Sequence, residues 1–222
     1  MKTYKKNHLP QSLQDKVLGF ENLYGSLSSV SHLEVYQAKE ELISPFKSID
    51  KLRFLLEGRL KISLVHENGS QSIVHFAHPG DFIGELTFLG VEKDHKCVTC
   101  LSESIFISVD MNQAKHILKK DADFLFKLCQ FVGDKMLRRT NFAAKSQTYD
   151  LKHRLAAYIL ACEVDGIYKE KHTETAEYLS VSYRHLLHTI KGFLDDQVLV
   201  KDKTFYHVNI SKLKDLAQDI VI

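Results

Sequence analysis

The chain has 222 residues, 44% of them hydrophobic and 26% charged, with a formal net charge of +2; this excludes wholesale disorder and suits one large or two modest globular domains. No run approaches the roughly 20 apolar residues that span a bilayer, and Met1–Lys6 leads into polar Asn7 and His8, so a cytoplasmic protein without a membrane partner is expected. Four cysteines are too few and too scattered for a secreted disulfide scaffold, and so small a charge means that any nucleic-acid surface must be a local patch.

Within residues 1–30, Leu13, Val17, Leu18 and Phe20 are spaced as in a short amphipathic helix. From His32 to Val109 the period is two: Leu60, Ile62 and Leu64 alternate with Arg59, Lys61 and Ser63, as in a strand with one face in a core. Glu67-Asn68-Gly69-Ser70 predicts a type I′ hairpin, because Asn-Gly accepts positive φ at both central positions. The partner strand is Ser72–Ala77 and a further one runs from about Lys96 to Val109, so residues 32–110 read as an antiparallel β domain.

After Asp110 the period becomes helical. Leu125, Leu128, Val132 and Met136 recur within Asp121–Ser146, a stretch without proline and with Gly133 as its one glycine, which predicts a helix of about 25 residues with a continuous apolar stripe. That stripe suits burial on a symmetry mate or on the chain's own β domain. From Tyr149 the chain is helical again, with Leu155, Ala156, Ile159 and Leu160 on one face. A unit from Thr173 to Leu179 follows, with Thr173 as N-cap and Glu174 and Glu177 favouring the helix start. The next helix begins at a Ser182 cap and runs to about Asp195, and a hairpin spans Val198–Val208 with Lys201-Asp202-Lys203-Thr204 at its tip. Helix, tight turn, helix and hairpin are the order of a winged helix-turn-helix.

In the helix after Ser182, Leu187, Ile190 and Leu194 are expected to face the core, leaving Tyr183, Arg184, His188 and Lys191 outside; with Ser182 and His185 these are the candidate DNA-binding residues. A recognition helix needs this division, since its early residues reach base edges while its back is held by packing. Arg184 suits a bidentate contact to guanine, His185 and His188 suit bases or phosphate, and Lys201 or Lys203 suits the backbone. The same pattern also fits an amphipathic helix that never touches DNA. Residues 148–222 hold 10 Lys plus Arg against 11 Asp plus Glu, so positive charge must be focused on one face or borrowed from Arg138, Arg139 and Lys145.

These residues carry a resemblance. Tyr178-Leu179, Ser182-Tyr183-Arg184, Phe193-Leu194-Asp195-Asp196 and Gln197-Val198-Leu199 resemble the helix-turn-helix of Crp/Fnr regulators. Asp150 with Arg154-Leu155-Ala156 is similar to that family's entry into its DNA-binding domain. Upstream, Phe54-Leu55-Leu56-Glu57-Gly58, Gly69 and Pro79-Gly80-Asp81-Phe82-Ile83-Gly84-Glu85-Leu86 are similar to its cyclic-nucleotide-binding-type β-roll. The likeness runs in order over about residues 32 to 210 and is nearest the YeiL-like branch, through Arg154–Leu160, Ala176–Leu179 and Val181–Leu187. It implies an α+β protein: a sensor β-roll (jelly roll) with its N-terminal helix over 1–120, a dimerisation helix and hinge over 121–148, and a winged helix-turn-helix over 149–222. Leu125, Leu128, Val132 and Met136 then line the dimer interface and Arg184 falls on the base-reading arginine. His185 stands where many members carry Glu, so the family's usual half-site does not transfer.

In cyclic-AMP-binding relatives an Arg-Ser pair after the Gly-Glu-Leu holds the cyclic phosphate. Here Gly84, Glu85 and Leu86 are present, but His95-Lys96-Cys97-Val98 stands in place of the pair. Lysine lacks the planar fork of arginine, which argues against cyclic AMP; the candidate effector pocket is Gly84, Glu85, Leu86, Lys96 and Cys97, its ligand unknown. Cys97-x-x-Cys100 with His75, His78 and His95 prompts a redox or metal sensor, but residues three apart on a strand point to opposite faces, so no metal site is assigned. Cys129 and Cys162 read as small buried side chains, and the N-terminal cysteine cluster of iron-sulfur relatives is absent, so no cluster is expected. No Ser/His/Asp ordering, helical metal-ligand pair or phosphate-binding loop supports an enzyme. The sequence thus points to a homodimeric transcription regulator on pseudo-palindromic double-stranded DNA, with RNA polymerase as a candidate further partner. The competing reading is a regulatory protein-interaction module with the same sensor and no DNA binding.

Overall fold

A computed structural model describes residues 2–4, 10–27, 30–45, 47–66, 71–92, 96–218 and 220. The chain divides into two compact units, one of Met1–Gln71 and Ala77–Gly133, the other of Ser72–Phe76 and Asp134–Ile222. The Asn68-Gly69 turn lies outside the described residues.

The elements begin with β1 (Lys2–Tyr4), α1 (Gln11–Tyr24), β2 (His32–Tyr36), β3 (Glu41–Ile43), β4 (Lys51–Glu57), β5 (Leu60–Val65) and β6 (Gln71–Ala77). They continue with β7 (Phe82–Ile83), α2 (Glu85–Leu89), β8 (Lys96–Cys100), β9 (Ser104–Asp110) and α3 (Met111–Leu118). Two sheets result, in the orders β1-β2-β9-β4-β7 and β3-β8-β5-β6, which is the β-roll implied by the resemblance. Tyr36, Leu55 and Phe106 from the first sheet meet Leu60, Ile62, Val98 and Cys100 from the second in an apolar interior. The alternation read from Leu60 and Ile62 holds because period two sends every second side chain into that space.

The outer face of the five-stranded sheet buries Leu33, Leu52, Phe82 and Ile107 under Leu13, Val17 and Phe20 of α1, Ala114 and Leu118 of α3, and Phe124 and Leu128. Leu18, expected on the apolar face of α1, is 56% exposed; inward spacing of four and three residues at Leu13, Val17 and Phe20 turns it to solvent. The single strand expected over Lys96–Val109 is two strands, β8 and β9, one in each sheet. The chain crosses at Leu101–Glu103, against the turn from β4 to β5, where Gly58 has φ +101° and a side chain would stand 2.6 Å from the Glu103 carbonyl oxygen.

The long helix α4 (Ala122–Thr148) starts at Asp121, whose carboxylate accepts from Phe124 N at 2.9 Å. The boundary between units falls inside it, between Gly133 and Asp134. The second unit holds α5 (Leu151–Cys162), β10 (Ile167–Tyr168), α6 (His172–Tyr178), α7 (Tyr183–Asp195), β11 (Leu199–Asp202), β12 (Phe205–Val208) and α8 (Ile210–Ala217). Strands β10, β12 and β11 form one antiparallel sheet in that order. The core of the unit is Leu155, Tyr158, Ile159, Tyr168, Leu179, Leu186, Ile190, Phe193 and Leu213, all at most 3% exposed. Among the described residues no helix is long and apolar enough to cross a membrane.

Candidate nucleic-acid interface

The turn between α6 and α7 is built by the backbone. Leu179 N donates to the Thr175 carbonyl, Val181 N to the Ala176 carbonyl, and Ser180 takes φ +53°. Arg154 reaches across from α5 and donates Nη1 to the Leu179 carbonyl at 2.9 Å, so the turn is tied to the helix behind it. Thr173, expected as the cap of α6, lies inside that helix; Lys171 holds the cap position and makes no side-chain capping bond. Thr175 carries the polar work there, donating to the Lys171 carbonyl at 3.0 Å and pairing its hydroxyl with the Tyr168 hydroxyl at 2.7 Å.

Ser182 caps α7 as expected, its Oγ accepting from His185 N at 3.2 Å. Capping satisfies one of the free N–H groups of the first turn and fixes where the helix starts. The buried edge of α7 is Leu186, Ile190 and Phe193. Of the three residues expected to face the core, Ile190 does so, Leu187 is 39% exposed and Leu194 is only half-buried. The helix is rotated by one position from the phase read off the sequence, because Leu186 and Phe193 fill the space against the core. Tyr183, Arg184, His185, His188 and Lys191 are all exposed. The outward edge carries the cations Arg184 and Lys191 with Tyr183, His185 and His188, and has Asp195 and Asp196 at its far end.

Beside it, β11 and β12 pair from Leu199↔Val208 to Asp202↔Phe205, leaving Lys203-Thr204 as a two-residue tip with Lys203 at φ +49°. Lys201 and Lys203 are exposed on this wing. His172, at the start of α6, stacks on Tyr206 of β12 with ring centroids 5.7 Å apart; burial, with Lys201 nearby, pushes its pKa below the ordinary histidine value. Arg138 and Arg139 on α4 are exposed, while the Lys145 side chain lies outside what is described.

Helix α4 does not present the expected stripe to solvent as a whole. Leu128 is 1% exposed in the core of its own unit and Leu125 packs against that core; Val132 is half-buried, and of the four predicted positions only Met136 is exposed. The outer sheet face of the β-roll takes up Phe124 and Leu128, which removes Leu128 from the expected dimer interface. Phe126, Met136 and Leu137 are instead 66%, 63% and 57% exposed, and Cys129 is exposed between them.

In the β-roll, Gly84 has φ +90°, and a side chain there would come within 2.7 Å of the Lys51 carbonyl oxygen; it is a backbone requirement. Glu85 is buried and Leu86 half-buried at the start of α2. Lys96 pairs with Glu92 at 2.6 Å. Strand β8 keeps a regular register with β5, so Lys96, Val98 and Cys100 share the inner face and Cys97 points the other way, its thiol on the Glu41 carboxylate at 3.5 Å. Cys97 therefore does not line one pocket with Lys96, contrary to its expected place, and it cannot act jointly with Cys100. Burial pushes the Cys97 thiol up and that of Cys100 up to about 11, so neither has the thiolate character of a reactive cysteine. Cys162 is buried as expected, whereas Cys129 is exposed.

One feature had no signal in the sequence. Glu34, fully buried on β2, lies 3.1 Å from Arg53 Nε of β4, accepts from Ser108 Oγ of β9 at 2.8 Å and from Lys51, and has His32 at 3.3 Å. Burial alone would raise its pKa, but Lys51, Arg53 and Ser108 outweigh that and hold the carboxyl at about 2.

Known proteins share both units. The family of the cyclic nucleotide-binding domain matches residues 33–121. Regulatory protein YeiL of Escherichia coli O157:H7 is 31% identical over 195 residues, covering 87% of this chain and 89% of that one. A solved transcriptional regulator of the Crp/Fnr family from Eubacterium rectale has a TM-score of 0.69 at 11% identity, over 95% of this chain and 96% of the other. Another, from Thermus thermophilus, has a TM-score of 0.63 at 19% identity, over 83% and 97%.

Proposed function

The chain belongs to the Crp/Fnr family, on the branch of YeiL, and from that premise we propose that it regulates transcription as a cytoplasmic homodimer reading a pseudo-palindromic site in double-stranded DNA. The observation that carries the reading is α7: Tyr183, Arg184, His185, His188 and Lys191 stand in solvent over a back edge of Leu186, Ile190 and Phe193, with Ser182 fixing its start. A helix held in this way offers its first turns to the major groove, while the wing lysines reach phosphate. The test is selection of duplexes from a random library. Enrichment of two inverted half-sites, about 10 base pairs apart centre to centre or a multiple of that, with affinity falling steeply in salt, is the expected result. Failure to enrich any sequence overturns the reading.

The dimer rests on α4. Three large apolar side chains exposed on one helix, Phe126, Met136 and Leu137, suit burial against the same helix of a second copy. Light scattering is expected to give about 51 kDa, twice the 25.5 kDa chain, and Leu137→Asp to move the mass toward one chain. A wild-type mass of one chain at micromolar concentration refutes the assignment.

The effector is not cyclic AMP in this reading. The arginine that holds the cyclic phosphate in relatives has no counterpart, and the nearby cation Lys96 is already engaged by Glu92 at 2.6 Å. Millimolar cyclic AMP is expected to leave the melting temperature unchanged within about 1 °C, because stabilisation grows with the logarithm of ligand concentration over Kd. An upward shift of several degrees at micromolar nucleotide contradicts this.

A further inference from the structure

The outward edge of α7 has an apolar centre that the cationic reading leaves unexplained. Leu187 is 39% exposed. It follows Tyr183 by four residues and Arg184 by three, precedes Lys191 by four and adjoins His188, so on a helix these five side chains form one surface with Leu187 in the middle. A single exposed leucine is ordinary on a protein surface. This one lies where, on the DNA-binding reading above, the helix meets base edges.

Leucine has no hydrogen-bonding group with which to read a base. The major-groove edges of the four base pairs carry donors and acceptors together with one apolar feature, the C5 methyl group of thymine. We propose that Leu187 is a specificity-determining residue that packs on a thymine methyl in each half-site. Leu187 lies about 4.5 Å beyond Arg184 along the helix axis. Base pairs are about 3.4 Å apart, so the thymine is within about two base pairs of the guanine read by Arg184. Arg184 selects by hydrogen bonding, and Leu187 selects the neighbouring position by contact and by leaving polar groups there unrewarded. The inference rests on the DNA-binding reading but makes a separate demand on the operator.

The experiment uses the full chain and the sequence enriched from the random library. Each thymine of a half-site is replaced in turn by deoxyuridine, which keeps every hydrogen-bonding group and removes only the methyl. The expected result is one position per half-site, near the guanine, at which the replacement weakens binding by about fourfold, the worth of one buried carbon. In Leu187→Ala the same replacement is expected to have no effect, while discrimination at the guanine survives and shows that the helix is intact. Equal sensitivity to deoxyuridine in both proteins, or no sensitive thymine in the wild type, overturns the assignment of Leu187 and leaves the DNA-binding reading standing. Absence of any selective binding overturns both.

Discussion

Arg184→Ala is expected to weaken sequence-selective DNA binding by at least about 30-fold while leaving the melting temperature within about 2 °C of the wild type, since exposed substitutions away from special features change stability by about 0.5 kcal/mol or less. Arg184 is exposed in the first turn of α7, and the cap and core that hold the helix, Ser182, Leu186, Ile190 and Phe193, do not depend on it. A bidentate contact to guanine is worth about 1–3 kcal/mol of discrimination, so two copies on a two-fold site carry about 2–6 kcal/mol. That corresponds to a loss between about 30-fold and about 10⁴-fold in affinity for the selected site. Weak, salt-sensitive binding to any duplex is expected to persist through Lys191 and the wing lysines. Arg184→Lys separates geometry from charge: lysine keeps the cation and lacks the fork, so it is expected to lose selectivity nearly as far as alanine does. Selective binding unchanged in Arg184→Ala removes this residue from base reading. The measurement is a titration of the selected duplex against a scrambled one at two salt concentrations.

The second large effect lies in the β-roll. Arg53→Met is expected to destabilise the protein by about 3–5 kcal/mol, because removing one partner of a buried pair leaves the other charge in the interior. In a chain of this size that corresponds to a fall of about 6–20 °C in melting temperature. Glu34 is fully buried and Arg53 nearly so, with Lys51, Ser108 and His32 completing the ring around the carboxylate. Combining Arg53→Met with Glu34→Leu removes both charges, and recovery of most of the loss is expected.

The pair also predicts a pH dependence. The folded protein holds the Glu34 carboxyl at about 2, below the value of about 4.3 for an unfolded glutamate. Its contribution is therefore fully present above the unfolded value and is lost as pH falls from about 5 toward 2. Melting curves through this window are expected to drop less steeply for Glu34→Gln than for the wild type. Identical slopes in the two proteins count against the ion cluster as a source of acid sensitivity.

Local chemistry was the legible part of the chain. The alternation of Leu60, Ile62 and Leu64 announces a strand, the proline-free stretch after Asp121 announces α4, and Ser182 marks the start of α7 to the residue. Each of these signals is carried by side chains within a few positions of the structure they specify. The misreadings share the opposite property. Leu186 and Leu187 are adjacent leucines, and either phase of α7 satisfies its periodicity; the shape of the core behind it selects Leu186. Leu128 belongs to an apolar stripe that fits a partner copy or the chain's own sheet, and the outer face of the β-roll claims it.

The sequence by itself determined the kinds of element, their order, and which end of α7 carries cations, because helix and strand periods, caps and turn residues act over one or two turns of backbone. Only the tertiary structure decided what Glu34 does. Its strand and that of Arg53 flank β9 in the order β2-β9-β4, so the carboxylate, the guanidinium and the Ser108 hydroxyl meet through a sheet order that no local pattern records. A buried charge is stable only beside its partners, and which residues those are depends on strands that are distant in the chain and adjacent in space.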